Sequence, residues 1–286
     1  MTDLASKLTV ILPVYNEAHR LEVAIRNFHG RAPIVVIDNF SEDDTVKVAQ
    51  KFGSNVVQRK NAGFASTADY EFMFAQAKTE WMLIQYAGHY FPQKLVAAIE
   101  QAILSDRYDA VCLSGIAIQY GRRTNVYGWN LRRKFTTTRL FKKSVIDLRE
   151  SRIHHELPYV GDPARVYFPP LSSDFYIANY RDDDLAMMNR KTITYAEEEA
   201  RQLYAAGERI SGLRVAVSFF LHLCKRLFWR LAILEGVSGI VIAIAESYRY
   251  FCVDTRLWEL TRHLDQASMK TQNTQERDRL LRKDGR

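Results

Sequence analysis

The chain has 286 residues, of which 47% are apolar and 26% are charged. This composition excludes an intrinsically disordered or collagen-like protein and leaves room for one large domain with an appendage. The formal net charge of +7 at pH 7 favours an anionic partner, which could be nucleic acid, lipid headgroups or a phosphate-bearing substrate. The three cysteines, Cys112, Cys224 and Cys252, have no paired or metal-ligand spacing, which excludes a disulfide framework.

The first hundred residues alternate between predicted strands and helices. Short runs of apolar and β-branched residues at 8–12 and 34–37 predict buried parallel strands, and residues 17–28 between them have the apolar spacing of one helical face. Ser41 is predicted to be the N-cap of the next helix. Further strands are predicted at 55–58 and 81–84. The pattern predicts a doubly wound α/β sheet, which binds ligands at the carboxyl ends of its strands.

The second half of the chain changes character twice. Shorter strands between 108 and 141 surround a basic and aromatic loop, and the chain becomes helical from Leu185. Residues 215–253 are the most apolar part, but the uninterrupted apolar stretch 236–245 falls short of the roughly 20 residues of a membrane span. Basic residues interleaved with aromatic ones predict amphipathic helices that lie on a membrane surface. The alternative is that these helices pack on each other or in a dimer.

Two motifs carry a family resemblance. Pro13-Val14-Tyr15-Asn16-Glu17 ends the first predicted strand, and Val-Ile-Asp-Asn-x-Ser-x-Asp-x-Thr spans Val36 to Thr45. This pair resembles the opening of family 2 glycosyltransferases, inverting enzymes of the GT-A fold that use nucleotide-sugars. The resemblance implies that Asp38 recognises the imide of a pyrimidine base and that the first motif packs on base and ribose. The nucleotide-binding residues implied in this way are Pro13, Val14, Tyr15, Glu17, Asp38, Asn61, Gly63 and Ala87. The alternative is that Asp38 and Ser41 only cap a helix and that Tyr15 fills the core.

The segment after the fourth predicted strand departs from the family pattern. Family members carry Asp-x-Asp there, whose carboxylates hold Mg²⁺ or Mn²⁺, whereas this chain has Tyr86-Ala87-Gly88 followed by His89. Because hard divalent cations prefer oxygen ligands, no metal ligand is predicted; Mg²⁺ or Mn²⁺ stays open as a cofactor, but its usual ligands are absent. The expected substitutes at the diphosphate are five basic residues: His89, Arg122, Arg123, Arg132 and Arg133. A different donor, an inactive enzyme, or a solvated or lipid-facing basic loop are the alternatives.

A second resemblance, to a subgroup of the same family, indicates the catalytic base. Arg139-Leu140-Phe141, followed by His154-His155-Glu156, resembles elements of a bacterial subgroup that adds sugars to the lipopolysaccharide core, and Arg256-Leu257-Trp258-Glu259 resembles its C-terminal region. The resemblance implies that Glu156 is the base and His155 its neighbour. The alternative is a polar turn before Pro158. The other candidate bases are Asp174, Asp182, Asp183 and Asp184, although the aspartate run is also a helix-start signal.

The sequence thus predicts three parts. A GT-A α/β domain covers 1–190, a C-terminal amphipathic helical region that contacts the membrane covers 191–260, and a polar charged tail covers 261–286.

The expected function is inverting transfer of a sugar from a nucleoside diphosphate donor to a lipid-linked or polysaccharide acceptor in the cell envelope. A UDP-sugar is the preferred candidate for the donor. No secretory signal pattern is present at the N-terminus, so we expect a cytoplasmic protein that is peripheral on the inner face of the cell membrane. The competing hypothesis is a catalytically silent scaffold that binds a nucleotide or a partner subunit. Nucleic acid is not expected as a partner, because the basic residues lie among apolar ones; an oligomer is compatible with the sequence.

Overall fold

The structure is a computed structural model that describes residues 3–61, 66–124, 126, 138–150, 157–181, 184–264 and 266–284. The chain forms two compact units, Met1–Asp183 and Asp184–Arg286. The predicted boundary at residue 190 lies within a helix that runs from Leu185 to Ala205. The helix begins at Leu185, where the sequence predicts that the chain becomes helical, and the Asp184 carboxylate caps it by accepting a hydrogen bond from the Met187 N–H at 2.7 Å.

The first unit alternates strands and helices along most of its length. Its elements are α1 (Leu4–Lys7), β1 (Leu8–Val14), α2 (Ala18–Arg26), β2 (Ile34–Asp38), α3 (Thr45–Lys51), β3 (Asn55–Gln58), α4 (Thr67–Gln76), β4 (Trp81–Ile84), β5 (His89–Tyr90), α5 (Gln93–Leu104), β6 (Ala110–Cys112), β7 (Gly115–Gln119), β8 (Arg122–Thr124), β9 (Thr138–Lys142), β10 (Val166–Tyr167) and β11 (Ile177–Tyr180). Short 3₁₀ turns at Lys143–Val145, Leu148–Glu150, Pro163–Arg165 and Ser173–Phe175 complete it.

The main sheet has seven strands in the order β10-β6-β9-β4-β1-β2-β3. β4, β1, β2 and β3 pair in parallel, and β9 runs antiparallel between β4 and β6. Strands β2 and β4 are buried along their whole length, as expected for strands with helices on both faces. The predicted α/β fold with a mostly parallel sheet is therefore confirmed.

Alternate residues of each strand enter two different cores. On one face, Leu12 of β1 and Val36 of β2 pack with apolar residues of α2, α3 and α5. On the other face, Ile11 and Ile37 pack with Met73 of α4. The period of two along each strand thus provides a core for both layers of helices.

A second sheet has the order β5-β11-β7-β8. β11 is antiparallel to β5 and parallel to β7, while β8 is antiparallel to β7. The approach of β11 to the segment before β5 is close: the Tyr180 N–H donates to the Gly88 carbonyl at 2.8 Å. A Cβ at position 88 would lie less than 3.0 Å from the Tyr180 carbonyl oxygen, a separation that real Cβ atoms do not adopt. Glycine is therefore required at this position.

The second unit is helical over its described residues. It contains α6 (Leu185–Ala205), α7 (Gly212–Cys224), a π-helical turn (Lys225–Trp229), a 3₁₀ turn (Ala232–Glu235), α8 (Gly236–Thr261) and α9 (Gln266–Lys283). α8 packs against α6 and α7, and Val253 and Leu257 belong to their shared core. The predicted helical C-terminal region is thus confirmed.

Charged side chains on α8 are paired inside this helical unit. The Arg249 guanidinium lies 3.0 Å from the Glu199 carboxylate of α6, and Glu246 lies 3.7 Å from Arg226. Among the described residues, one helical stretch, Ala232–Thr261, has the length and the composition that a membrane span would need.

Candidate functional site

The loops after β1 and β2 are tied together at the carboxyl edge of the main sheet. Three backbone N–H groups at the start of α2 donate to side chains of the β2–α3 loop: Asn16 to Ser41 Oγ at 2.9 Å, Glu17 to Thr45 Oγ1 at 2.8 Å and Ala18 to Asp43 Oδ2 at 3.1 Å. The Ser-x-Asp-x-Thr motif therefore satisfies the free N–H groups of a helix that is distant in sequence. Burial raises the pKa of the Asp43 carboxyl, but hydrogen bonds from Thr45 and Ala18 outweigh burial and hold the pKa below its usual value.

This arrangement corrects one prediction. Ser41 does not cap α3, which begins at Thr45 with Asp44 at the N-cap position. The Ser41 hydroxyl is used by the Asn16 N–H instead. Asn16 in turn has a left-handed backbone with φ of 53°, which asparagine tolerates, and its Oδ1 accepts from the Glu42 N–H at 2.8 Å.

Asp38 is fully buried at the end of β2. Its carboxylate accepts from the Ser41 N–H at 3.1 Å and from Gln58 Nε2 at 3.2 Å. A carboxylate has about four acceptor positions, so these two donors leave capacity for a further N–H. The predicted partner of that capacity, a base imide, remains a prediction.

The residues of the first motif divide between core and surface. Val14 is 5% exposed and belongs to the core of the sheet, whereas the Tyr15 side chain is 49% exposed. The alternative in which Tyr15 fills the core is therefore wrong. Pro13 lies within β1, paired with Ile37 of β2.

Asn39 is a site residue to which sequence alone assigns no role. Its side chain is buried, its Oδ1 accepts from the Asn61 N–H at 2.9 Å, and its Nδ2 donates to Asn61 Oδ1 at 3.0 Å. Its own N–H donates to the Val14 carbonyl at 2.9 Å. Asn39 thus joins the predicted nucleotide-binding residue Asn61 to the end of β1. Its position directly after Asp38 is the only signal in the sequence that could have identified it. Gly63 lies outside the described residues.

Glu17 forms an ion pair within the protein, and its predicted contact with the nucleotide stays a prediction. Its carboxylate forms a bidentate ion pair with Arg20, with 2.7 Å between Arg20 Nη2 and Glu17 Oε1. The side chain of Arg20 is 14% exposed and that of Glu17 is 15% exposed. Arg20 Nη1 also donates to the backbone carbonyls of Tyr180 at 3.2 Å and Arg181 at 3.0 Å. This pair attaches the start of α2 to the end of β11.

The segment at 86–89 is more buried than its sequence indicates. Ala87 is 4% exposed and lies in the core, and His89 is 7% exposed because it pairs with Asn179 in the second sheet. Burial, followed by the charges of Arg139, Arg20 and Arg181, lowers the pKa of His89 to about 3. The imidazole is therefore neutral at physiological pH and brings no positive charge to a diphosphate; its predicted contact with phosphate stays a prediction.

The described residues of this segment do not fit a divalent cation. Tyr86, Ala87 and Gly88 supply no carboxylate, and His89 Nδ1 accepts from the Tyr86 N–H at 3.4 Å. Over the described part of the chain, no group of three or more His, Cys, Asp or Glu side chains could hold a metal ion. Mg²⁺ and Mn²⁺ need oxygen ligands that this donor set does not offer.

The remaining predicted residues are dispersed. Arg122 and Arg123 lie exposed on β8, at the edge of the second sheet. Asp174 pairs with Lys94 at 2.6 Å on the surface, and Asp184 is the N-cap of α6. Arg132, Arg133, His155, Glu156, Asp182 and Asp183 lie outside the described residues.

Known proteins resemble this chain over most of its length. A model of "Glycosyl transferase family 2" matches residues 9–154. An uncharacterized glycosyltransferase of Rickettsia conorii is 24% identical over 278 residues, which cover 95% of this chain and 94% of the relative. One of Mycoplasma genitalium is 28% identical over 118 residues, covering 37% of this chain and 40% of the relative.

Solved structures show a looser likeness. The mannosyltransferase PcManGT of Pyrobaculum calidifontis, in complex with GDP-Man and Mn²⁺, has a TM-score of 0.48 at 14% identity and covers 88% of this chain and 87% of its own. S. aureus TarS 1-349 in complex with UDP-GlcNAc has a TM-score of 0.47 at 13% identity, covering 87% of this chain and 91% of its own. The family model matches just over half of the chain, from β1 through β9. The chain belongs to glycosyl transferase family 2 and is a glycosyltransferase.

Proposed function

We propose that this glycosyltransferase transfers a sugar, with inversion, from a UDP-sugar to a lipid-linked or polysaccharide acceptor of the cell envelope, without a metal ion. The observation that carries the proposal is the buried Asp38 carboxylate, which retains acceptor capacity, together with the half-exposed Tyr15, which follows the strand partner of Asp38, Val14. A buried acceptor discriminates strongly between bases, because leaving it without a donor costs about 1–3 kcal/mol. An exposed aromatic ring offers a flat face on which a base can stack.

The chemistry that we propose needs one base. As the acceptor hydroxyl attacks the anomeric carbon, a carboxylate takes its proton, and the nucleoside diphosphate leaves with the electron pair of the broken glycosidic bond. Glu156 is the candidate for this base on the strength of the His-His-Glu resemblance. Asp174 and Asp184 are weaker candidates because each already has a partner.

The membrane part of the proposal is supported by the surface of the second unit. Large apolar side chains are exposed along α7, the two turns and the start of α8: Leu213, Phe220, Leu221, Phe228, Trp229, Leu231, Ile233, Leu234 and Val237. Arg214 and Lys225 are exposed on the same segments. Exposed apolar residues mixed with cations match an anionic lipid surface. The ion pairs that join α8 to the π-helical turn and to α6 favour a helix that packs in the protein over one that crosses the bilayer.

Liposome binding tests this part by itself. Trp229→Glu together with Leu234→Glu should abolish pelleting with vesicles that contain anionic lipid. Val160→Glu is the matched control, because Val160 is an exposed valine of the first unit. Equal pelleting of all three proteins would contradict the membrane proposal.

The second candidate, a silent scaffold, is favoured by the segment at 86–89, which has no carboxylate, and by the engagement of Glu17 with Arg20. Calorimetric titration with UDP and GDP, in Mn²⁺ and then in EDTA, followed by a panel of nucleotide-sugars, separates the two. UDP binding in EDTA with sugar transfer supports the enzyme. Binding that requires Mn²⁺ contradicts metal independence, and binding without transfer or hydrolysis of any donor supports the scaffold.

A further inference from the structure

Arg139 is an arginine with one buried hydrogen-bond donor, Nη1, that no described residue satisfies. It lies on β9, one residue beyond the Leu83–Leu140 pair, and therefore at the carboxyl end of β4. Its guanidinium carbon lies 4.4 Å from the centroid of the Tyr86 ring. Its Nη1 is buried and has no hydrogen-bond partner among the described residues.

Other arginines of the same unit that carry charge into partly buried positions have carboxylate partners. Arg59 pairs with Asp69 at 2.7 Å, and Arg165 donates to Asp109 at 3.0 Å. A ring face attracts a guanidinium electrostatically, but it does not accept the in-plane N–H groups. A buried N–H without an acceptor is costly and rare in proteins, so Arg139 needs an acceptor that the described residues do not supply.

The surroundings of Arg139 indicate the charge of that acceptor. The side chains whose charges act on the neighbouring buried His89 are all cationic, namely Arg139, Arg20 and Arg181. Tyr70 also lies within the field of Arg139, and its pKa rises to about 12, chiefly through burial and then through Tyr86, so the phenol keeps its proton. Arg20 is paired with Glu17, but the edge after β4 has no carboxylate at 86–89, so the positive charge of Arg139 there suits an anion and repels a cation.

We propose that Arg139, held in place by the Tyr86 ring, binds the diphosphate of the donor. The fixed fork of a guanidinium matches the oxygens of a phosphate group, and the free Nη1 supplies one of the two parallel hydrogen bonds. Tyr86 is a positioning residue in this arrangement, because it contacts the guanidinium and not the ligand. The inference rests on the proposed function, since it assigns a subsite of the same donor.

The experiment compares UDP with uridine, both in EDTA, so that phosphate binding is separated from base binding. Arg139→Gln should weaken UDP binding roughly 10- to 100-fold, the usual range for a charge-assisted hydrogen bond, and leave uridine binding unchanged. Arg107→Gln is the matched control: Arg107 also lies over a tyrosine ring of the same unit, 5.7 Å from the centroid of Tyr108. This control should bind both ligands as the wild type does.

Each other outcome has a distinct meaning. If Arg139→Gln binds UDP like the wild type, the inference is overturned while the proposed function stands. If the wild type binds neither UDP nor uridine, the proposed function itself fails. If Arg139→Gln loses both ligands, Arg139→Lys decides. This variant keeps the charge but not the fork, and it should lose several-fold in UDP affinity alone. Loss of uridine binding in the lysine variant as well would show that Arg139 is only structural.

Discussion

Replacement of Gly88 by alanine tests the close approach of β11 to the segment after β4. The new Cβ would lie inside 3.0 Å of the Tyr180 carbonyl oxygen, a backbone atom that cannot turn away as a side chain does. The same carbonyl accepts from Arg20 Nη1 at 3.2 Å, and the Tyr180 N–H donates to Gly88 at 2.8 Å, so a shift of β11 disturbs both contacts. Overpacking of this kind costs about 1–3 kcal/mol. For a unit of this size we expect Tm to fall by roughly 2–12 °C.

Thermal denaturation measures this change, and hydrogen exchange localises it. The peptide that contains β11 should exchange faster in Gly88→Ala, while β1 and β2 stay protected. Gly212→Ala is the control, because its Cβ would meet only Trp258 Nε1 at an ordinary 3.6 Å. A Gly88→Ala variant as stable as the wild type, with unchanged exchange in β11, would refute the reasoning. The same clash means that Gly88→Asp should be destabilised and should not create a Mn²⁺ site.

Three further predictions concern chemistry and pH. Glu156→Gln should abolish sugar transfer and leave the Kd of UDP unchanged, because the substitution removes the base but no contact with the donor. Turnover at the wild-type rate would show that Glu156 is not the base. Asp38→Asn should weaken UDP binding by about tenfold or more, because one carboxylate oxygen is replaced by an NH₂ group that points at hydrogen-bond donors instead of accepting from them. Calorimetry with UDP measures this change, and an unchanged Kd would contradict base recognition by Asp38. The pKa of His89 is about 3 in the folded protein, against 6.5 for a free histidine. Between these two pH values the unfolded chain binds a proton that the folded chain does not. The free energy of unfolding should therefore fall as the pH drops below 6.5. His89→Gln should flatten this dependence between pH 7 and 5 by up to about 1.4 kcal/mol per pH unit in chemical denaturation, and an identical slope in both proteins would contradict a buried neutral His89.

The elements that the sequence predicts well are those whose signal is local. Residues 55–58 and 81–84 form strands with the predicted bounds. Residues 81–84 form an apolar run that is buried along its whole length, and residues 55–58 form a partly exposed edge strand with two valines at its centre. The helix predicted over 17–28 forms over Ala18–Arg26, since its apolar spacing reports one buried face.

The features that the sequence misses depend on distant partners. Ser41 has the right chemistry for an N-cap, but its acceptor serves Asn16, which is 25 residues away. His89 follows a strand in a polar segment, and its burial accompanies contacts that the local pattern does not show, the pairing with Asn179 and the ring contact with Phe91. The hydrogen bonds between Asn39 and Asn61 could not be predicted, because they form only when the end of β2 and the segment after β3 lie side by side. Local patterns do not contain these pairings.

The reciprocal hydrogen bonds between the first two loops have a consequence for donor affinity. Asn16 donates to Ser41 through its backbone and accepts from Glu42 through its side chain, so the contact runs in both directions and neither loop can shift alone. A ligand that binds across these loops meets a surface already fixed in its bound shape. Preorganisation of this kind spares the entropy of ordering a loop, which otherwise subtracts from the free energy of binding. A donor that binds as we propose would therefore meet a subsite already prepared by folding, and few contacts could carry its affinity.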